Sequence, residues 1–187
     1  MADIVDGWWY ANDAYLTEEH RQDNALKVYY NFRGYGWSFN AICAMLGNME
    51  VESSINPGLI EGRKTTLDPD SDGYGLTQWT PASKLLDWAA ENGFDYRSGN
   101  VQCYRIQRES LNNYQWRENY DMSFTEFRVS NLEIDYLTRV FGANYERPTA
   151  PDWDSRIANS YKWRDYILAN AKGLPVWLLF KFKKKGG

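Results

Sequence analysis

Ser38-Phe39-Asn40-Ala41-Ile42-Cys43-Ala44-Met45-Leu46-Gly47-Asn48-Met49-Glu50-Val51-Glu52-Ser53-Ser54-Ile55-Asn56-Pro57-Gly58 is the stretch on which the fold turns. Ser38 suits an N-cap, residues 39–52 read as a helix, and Asn56-Pro57-Gly58 supplies a stop. At about 100° per residue, Ile42, Met45, Leu46 and Met49 form one stripe, with Ala44 and Val51 opposite. A helix apolar round most of its circumference is a buried one. Ala41, Ala44 and Gly47 leave room for neighbours to come close. Into the last turn the sequence sets a carboxylate, Glu52, roughly 20° round the wheel from Met45. Desolvation and the negative end of the helix dipole both favour its protonated form. A carboxylic acid kept neutral near about pH 6 to 7 is what general-acid cleavage of a glycosidic bond needs.

Outward from that helix, the 187 residues suit one domain with a sizeable core and a short appendage. Nine Trp and fourteen Tyr are an unusual number, read either as an aromatic-rich core or as rings of which some stack on sugar faces in a groove. The net charge of −4 conceals four lysines after Leu174, so residues 1–173 carry −8, a poor balance for binding nucleic acid. Cys43 and Cys103 make no disulfide framework and read as small buried residues. The acidic N-terminus lacks the apolar core of a signal peptide, and no run approaches the roughly 20 apolar residues that span a bilayer. Synthesis in a cytoplasm, without export by the general secretory route, is the expectation.

Three parts are expected: an aromatic leader over 1–14, a catalytic domain over 15–170, and an apolar then basic tail over 171–187. Thr17 caps a first helix whose inner face is Ala25, Val28, Tyr29 and Phe32. After the central helix, residues 59–80 form the only long irregular region, with the only strand signal, and are suspect as functional. Thr80-Pro81 opens a third helix that stops at Gly93, and further helices fall at about 100–112, 123–128, 131–145 and 154–169. The fold class is mainly α: helices around a buried central one, with a small loop or hairpin lobe. The tail reads either as a linker or as a segment lying on an anionic membrane surface.

Three short stretches carry chemistry. In Glu52-Ser53-Ser54-Ile55-Asn56-Pro57 the helix breaks just after the acid. In Gly73-Tyr74-Gly75-Leu76-Thr77-Gln78-Trp79 the glycines let backbone approach a ligand, while Gln78 and Trp79 offer hydrogen bonds and a stacking face. The third is Tyr145-Glu146-Arg147-Pro148, at a helix end. In this order they resemble the lysozyme-like superfamily of goose-type lysozymes and soluble lytic transglycosylases. More closely, Met45-Leu46-Gly47-Asn48-Met49, Glu52-Ser53, Asn56-Pro57-Gly58, Gly75-Leu76, Gln78-Trp79-Thr80-Pro81-Ala82-Ser83 and Tyr145-Glu146-Arg147-Pro148 resemble the phage tail-tip lysozyme family, over roughly residues 15–170. The resemblance implies an α+β lysozyme-like fold and a virion protein at the phage tail tip. Its substrate would be bacterial peptidoglycan, and its partners other tail proteins or a following domain. The bond implied is the β-1,4 link between N-acetylmuramic acid and N-acetylglucosamine, with Glu52 as proton donor and contacts from Ser53, Tyr74, Gln78, Trp79 and Tyr145. The rival reading is a non-catalytic wall-binding module on the same scaffold. Glu50 stands where the family suggests an uncharged polar residue; about 160° from Glu52, it does not read as its catalytic pair.

An inverting lysozyme needs a second carboxylate about 6.5–9.5 Å away and a retaining one about 5–5.5 Å, whereas a lytic transglycosylase manages with one. Glu61, Asp68, Asp70 and Asp72 lie in the right region, and Asp72, nearest the glycine-rich segment, is the candidate. Asp68, Asp70 and Asp72 with Gly73 also copy the first half of a calcium loop, but position 12 is Trp79. The alternative is a string of Asx turns. His20 is the only histidine, which argues against a zinc or Cys–His peptidase, and no cofactor is required.

Overall fold

The computed structural model describes residues 3–5 and 9–172. The tail from residue 173 onward, and both readings of it, lie outside them. Seven α-helices carry the described chain: α1 Glu18–Gly34, α2 Phe39–Ser53, α3 Ser83–Glu91, α4 Gly99–Asn112, α5 Phe124–Val129, α6 Ile134–Phe141 and α7 Trp153–Asn170. A short antiparallel pair, β1 Asp3–Val5 with β2 Trp9–Ala11, precedes them. The fold is mainly helical, as expected.

The caps show why the helices start where they do. Thr17, Ser38, Ser98 and Ser123 each turn a hydroxyl oxygen onto the amide three residues ahead, satisfying a donor the helix leaves free. At α5, Glu126 returns the bond and completes a capping box. The leader docks on α1: Asn24 donates from Nδ2 to Tyr10 O at 2.8 Å and to Ile55 O at 2.9 Å, and it accepts from Tyr10 N at 3.1 Å.

Every residue of α2 from Ala41 to Met49 is buried, because α1, α5, α6 and α7 surround it. Ile42, Met45, Leu46 and Met49 alone contribute roughly 1.5–3 kcal/mol each on burial. Gly47 is where α7 comes closest: a Cβ there would stand 1.9 Å from Ser160 Oγ and 2.5 Å from Arg156 O. That approach sets Arg156 beside the C-terminal half of α2.

Three expectations need adjusting. Strand signal is read only within residues 59–80, yet among the described residues the paired strands are β1 and β2 of the leader, and 59–80 holds isolated bridges. α2 ends at Ser53, not at Asn56-Pro57-Gly58, because Ser54 and Ile55 take left-handed backbone (φ 55° and 53°). Asn56 instead ties the leader down, donating to Asn12 O at 2.9 Å and Ala14 O at 2.8 Å. The helix drawn over 131–145 is α6 followed by a wider π-turn, Gly142–Glu146. The loop before α5 accounts for the change: Asn119 Nδ2 and Arg117 N donate to the carbonyls of Ala143 and Asn144, at 2.6 Å and 2.9 Å. The expected small lobe is present between residues 59 and 80, where Tyr74 bridges Ile60 on one side and Trp79 on the other.

Candidate active site

Glu52 sits in the last turn of α2 with its side chain 21% exposed, mostly covered but open on one side. Its Oε1 accepts from Arg156 Nη2 of α7. Arg156 is buried and divided among three acceptors. Nη1 also donates to Glu146 Oε2 at 2.6 Å and to Asn48 Oδ1 at 2.8 Å. Asn48 is itself braced, donating to Ala44 O at 2.9 Å and Thr138 O at 3.0 Å.

Glu146 is the more extreme carboxyl, with its side chain 2% exposed. Burial first, then the charge of Glu52, push it well above the usual carboxylate range, with Arg156 only partly offsetting them. Its Oε1 has no hydrogen-bond partner among the described residues. The raised carboxyl pKa that the sequence suggests for Glu52 falls instead on Glu146, because Glu146 is the buried one of the two.

Glu52 opens into a cleft of about 240 Å³, with Glu146, Thr77, Gln78, Leu59 and Pro148 around it and Tyr15, Glu61 and Arg63 at the rim. Gln78 is held in left-handed backbone (φ 49°), with Nε2 donating to Leu59 O at 3.1 Å and Gly75 O at 3.0 Å. Glu61 crosses from the lobe and is fixed by Gly73 N, which donates to its Oε2 at 2.8 Å. Tyr15 is 58% exposed, with the Arg63 guanidinium 5.3 Å from its ring centroid. It is the aromatic face of this cleft.

Of the residues singled out in the sequence, Glu52 and Gln78 meet in the cleft; Ser53, Asp72, Tyr74, Trp79 and Tyr145 are not among those lining it. Ser53 is buried and donates to Met49 O at 3.1 Å and Leu76 O at 2.8 Å, fastening the Gly-rich segment to α2. Tyr74 packs edge-on against Tyr96, and Trp79 lies in the core. Tyr145 donates its hydroxyl to buried Glu109 and stacks on Phe141 at 4.9 Å. These rings hold the cleft from behind. Gly75 is a glycine for the same inward reason: at φ +81° a Cβ would meet Gln102 Oε1 at 2.6 Å, so the close approach is to protein.

Asp72 is tied to Lys64 and to the Asp68 amide, which donates at 2.9 Å; Lys64 foremost holds its carboxyl below the usual range. Asp68 accepts from Asp70 N at 3.2 Å and from Ser71 Oγ at 2.8 Å, the Asx-turn reading of this loop. Among the described residues no three carboxylate, His or Cys side chains gather as a metal site, Asp68, Asp70 and Asp72 included. Glu50 faces away, as its helical angle requires, and pairs with Arg21 of α1 at 2.5 Å and with Lys162 of α7 at 3.8 Å. Sequence reasoning missed Arg156, Tyr15 and Arg63. A charge on the inner face of α7, in Ser155-Arg156-Ile157, was the one local signal for Arg156.

A family model described as phage tail lysozyme matches residues 23–167. Morphogenesis protein 1 of Bacillus phage B103 is 39% identical over 158 residues, which cover 83% of this chain and 42% of the relative. The chain therefore spans under half the length of that relative.

Proposed function

Since this chain belongs to the phage tail lysozyme family, we propose that it cleaves the β-1,4 bond between N-acetylmuramic acid and N-acetylglucosamine in peptidoglycan. One observation carries the reading: a partly exposed carboxyl at the end of a buried helix faces a cleft, with a buried second carboxyl sharing its arginine.

The proton on the Glu52–Glu146 pair is passed by Glu52 to the glycosidic oxygen, as general-acid catalysis requires. Arg156 then faces two carboxylates and stabilises the charge left behind, at an angle fixed by Asn48. Gln78 is pinned at the cleft wall by its two backbone bonds. Tyr15 offers its face to a sugar ring. The second carboxylate we assign to Glu61, which lines the cleft, in preference to Asp72, whose oxygens are already engaged. Held by Gly73 N, Glu61 is placed to orient a water or to stabilise an oxocarbenium ion. In this reading the protein is a virion tail component that opens a local hole in the wall.

The test is digestion of purified peptidoglycan with mass spectrometry of the soluble fragments. Wild-type protein releases muropeptides, and Glu52→Gln, folded by circular dichroism, loses about 10²- to 10⁴-fold in rate. Reducing ends identify a hydrolase; an anhydro product, lighter by one water, identifies a transglycosylase. Sedimentation with the wall and no soluble fragment from wild type would replace the enzyme with an adhesive module.

A further inference from the structure

A second and larger recess, of about 400 Å³, opens between α3 and α4. Its size falls within the roughly 300–1,000 Å³ of small-ligand sites. None of its lining residues belongs to the Glu52 cleft. Its floor is Arg105, a residue only 8% exposed. Arg105 Nε donates to Glu109 Oε1 at 2.7 Å, and no acceptor among the described residues takes a hydrogen bond from either Nη. Glu109 does not compete for them, since its other oxygen accepts from Tyr145. The guanidinium is held 4.8 Å from the Trp88 ring centroid and 5.4 Å from that of Tyr114. Stacking of this kind fixes its plane. A buried guanidinium with a fixed plane and two unspent amino groups is a fork for a carboxylate.

The rest of the lining says which carboxylate. Lys84 and Arg108 add positive charge, while Asp87 and Glu91 stand exposed on the α3 side. A polyanion would meet those acids, whereas a zwitterion with a carboxylate and an ammonium satisfies both signs. The recess also adjoins the cleft. Lys84, on its wall, donates to the carbonyl of Thr80, which lines the cleft, at 2.6 Å; Tyr145, bonded to Glu109, precedes Glu146 in the chain.

We propose that the α3–α4 recess binds the short, free-carboxylate peptide that peptidoglycan carries on its glycan, with Arg105 taking the carboxylate between Trp88 and Tyr114. The assignment rests on the peptidoglycan reading above for the source of the peptide, and it supplies a second point of attachment beside the cleft.

The probe is synthetic L-alanyl-γ-D-glutamyl-L-lysine with free carboxylates, titrated into the protein by calorimetry and by NMR of the Trp88 indole N–H. Its fully amidated form is the control. The expected result is saturable binding of the acid that shifts the Trp88 signal, at least about tenfold weaker for the amide and for Arg105→Lys. Arg105→Lys risks the Glu109 pairing, so exposed Tyr114→Ala, which also weakens binding, is measured beside it. Glu52→Gln binds like wild type. No saturable binding of the acid, equal binding of acid and amide, or binding unaffected by both variants overturns the proposal. Peptide binding without muropeptide release would retain the recess and sink the enzyme reading. Muropeptide release by a protein blind to the tripeptide would sink the recess alone.

Discussion

Replacing Arg156 by Met should unsettle the protein in a pH-dependent way. Arg156 is the only donor to Glu146 Oε2 and Asn48 Oδ1 among the described residues, and it also serves Glu52. Its loss leaves a 2% exposed carboxyl without a partner. At neutral pH, removing one member of a buried pair costs about 3–5 kcal/mol. At roughly 2–4 °C per kcal/mol for a chain of this size, the melting temperature should fall by about 6–20 °C. In acid the penalty shrinks, because Glu146 takes up a proton instead of remaining a bare charge. The sign follows from linkage. Glu146 already has a folded-state pKa above its ordinary 4.5, so its stabilisation is complete below that value and is lost as pH rises through the folded value. Without Arg156 the folded value climbs further and the loss becomes larger. Calorimetric melts of wild type, Arg156→Met and Arg156→Met/Glu146→Gln at about pH 5 and about pH 8 read this directly. The single variant should fall short of wild type far more at the higher pH, and the added Gln should recover most of the deficit there. Equal deficits at both pH values, or no recovery, would mean that Glu146 is not the charge Arg156 compensates.

Three further outcomes follow from the same geometry. Tyr15→Ala, at a 58% exposed ring on the rim, should leave the melt unchanged and raise KM on soluble wall fragments about three- to tenfold, with kcat retained. Glu61→Gln should lower turnover by about 10²-fold if it is the second carboxylate, whereas Asp72→Asn should stay within a few fold; the reverse order in muropeptide release would return the role to Asp72. Gly47→Ala should destabilise by about 1–3 kcal/mol or more in a denaturant titration, since its methyl meets Ser160 Oγ at 1.9 Å and Arg156 O at 2.5 Å.

What the sequence discloses here is local. Ser38, the unbroken apolar run to Met49 and the hydroxyl caps each act over three or four residues, so α1, α2 and α5 can be read before any tertiary contact is known. Glu52 and Gln78 are legible because a motif preserves their spacing. The partners of Glu52 are not, because Arg156 lies 104 residues on and becomes relevant only when α7 closes against Gly47. Tyr74, Trp79 and Tyr145 mislead for the opposite reason. A motif records that a residue matters at a site without saying on which side of the wall it stands, and these three are the back of the wall. Tyr15 carries no motif at all; only the fold of residues 59–63 beside it makes it a rim residue.

Glu50 and Glu52 differ in the surroundings that suit one to the proposed proton transfer and leave the other merely buried. Both sit at the end of α2 with a guanidinium partner, and burial raises the pKa of Glu50 despite Arg21 and Lys162. Perturbation alone would nominate Glu50. Yet its side chain is 7% exposed and enclosed by α1 and α7, so a proton held there has no bond to cleave. Glu52 has the cleft on one side and Glu146 on the other, so in the proposed mechanism the group that faces substrate and the group that burial favours in its protonated form are two different side chains. Burial can then be complete at Glu146, where it fixes the proton, and partial at Glu52, where the proton must leave.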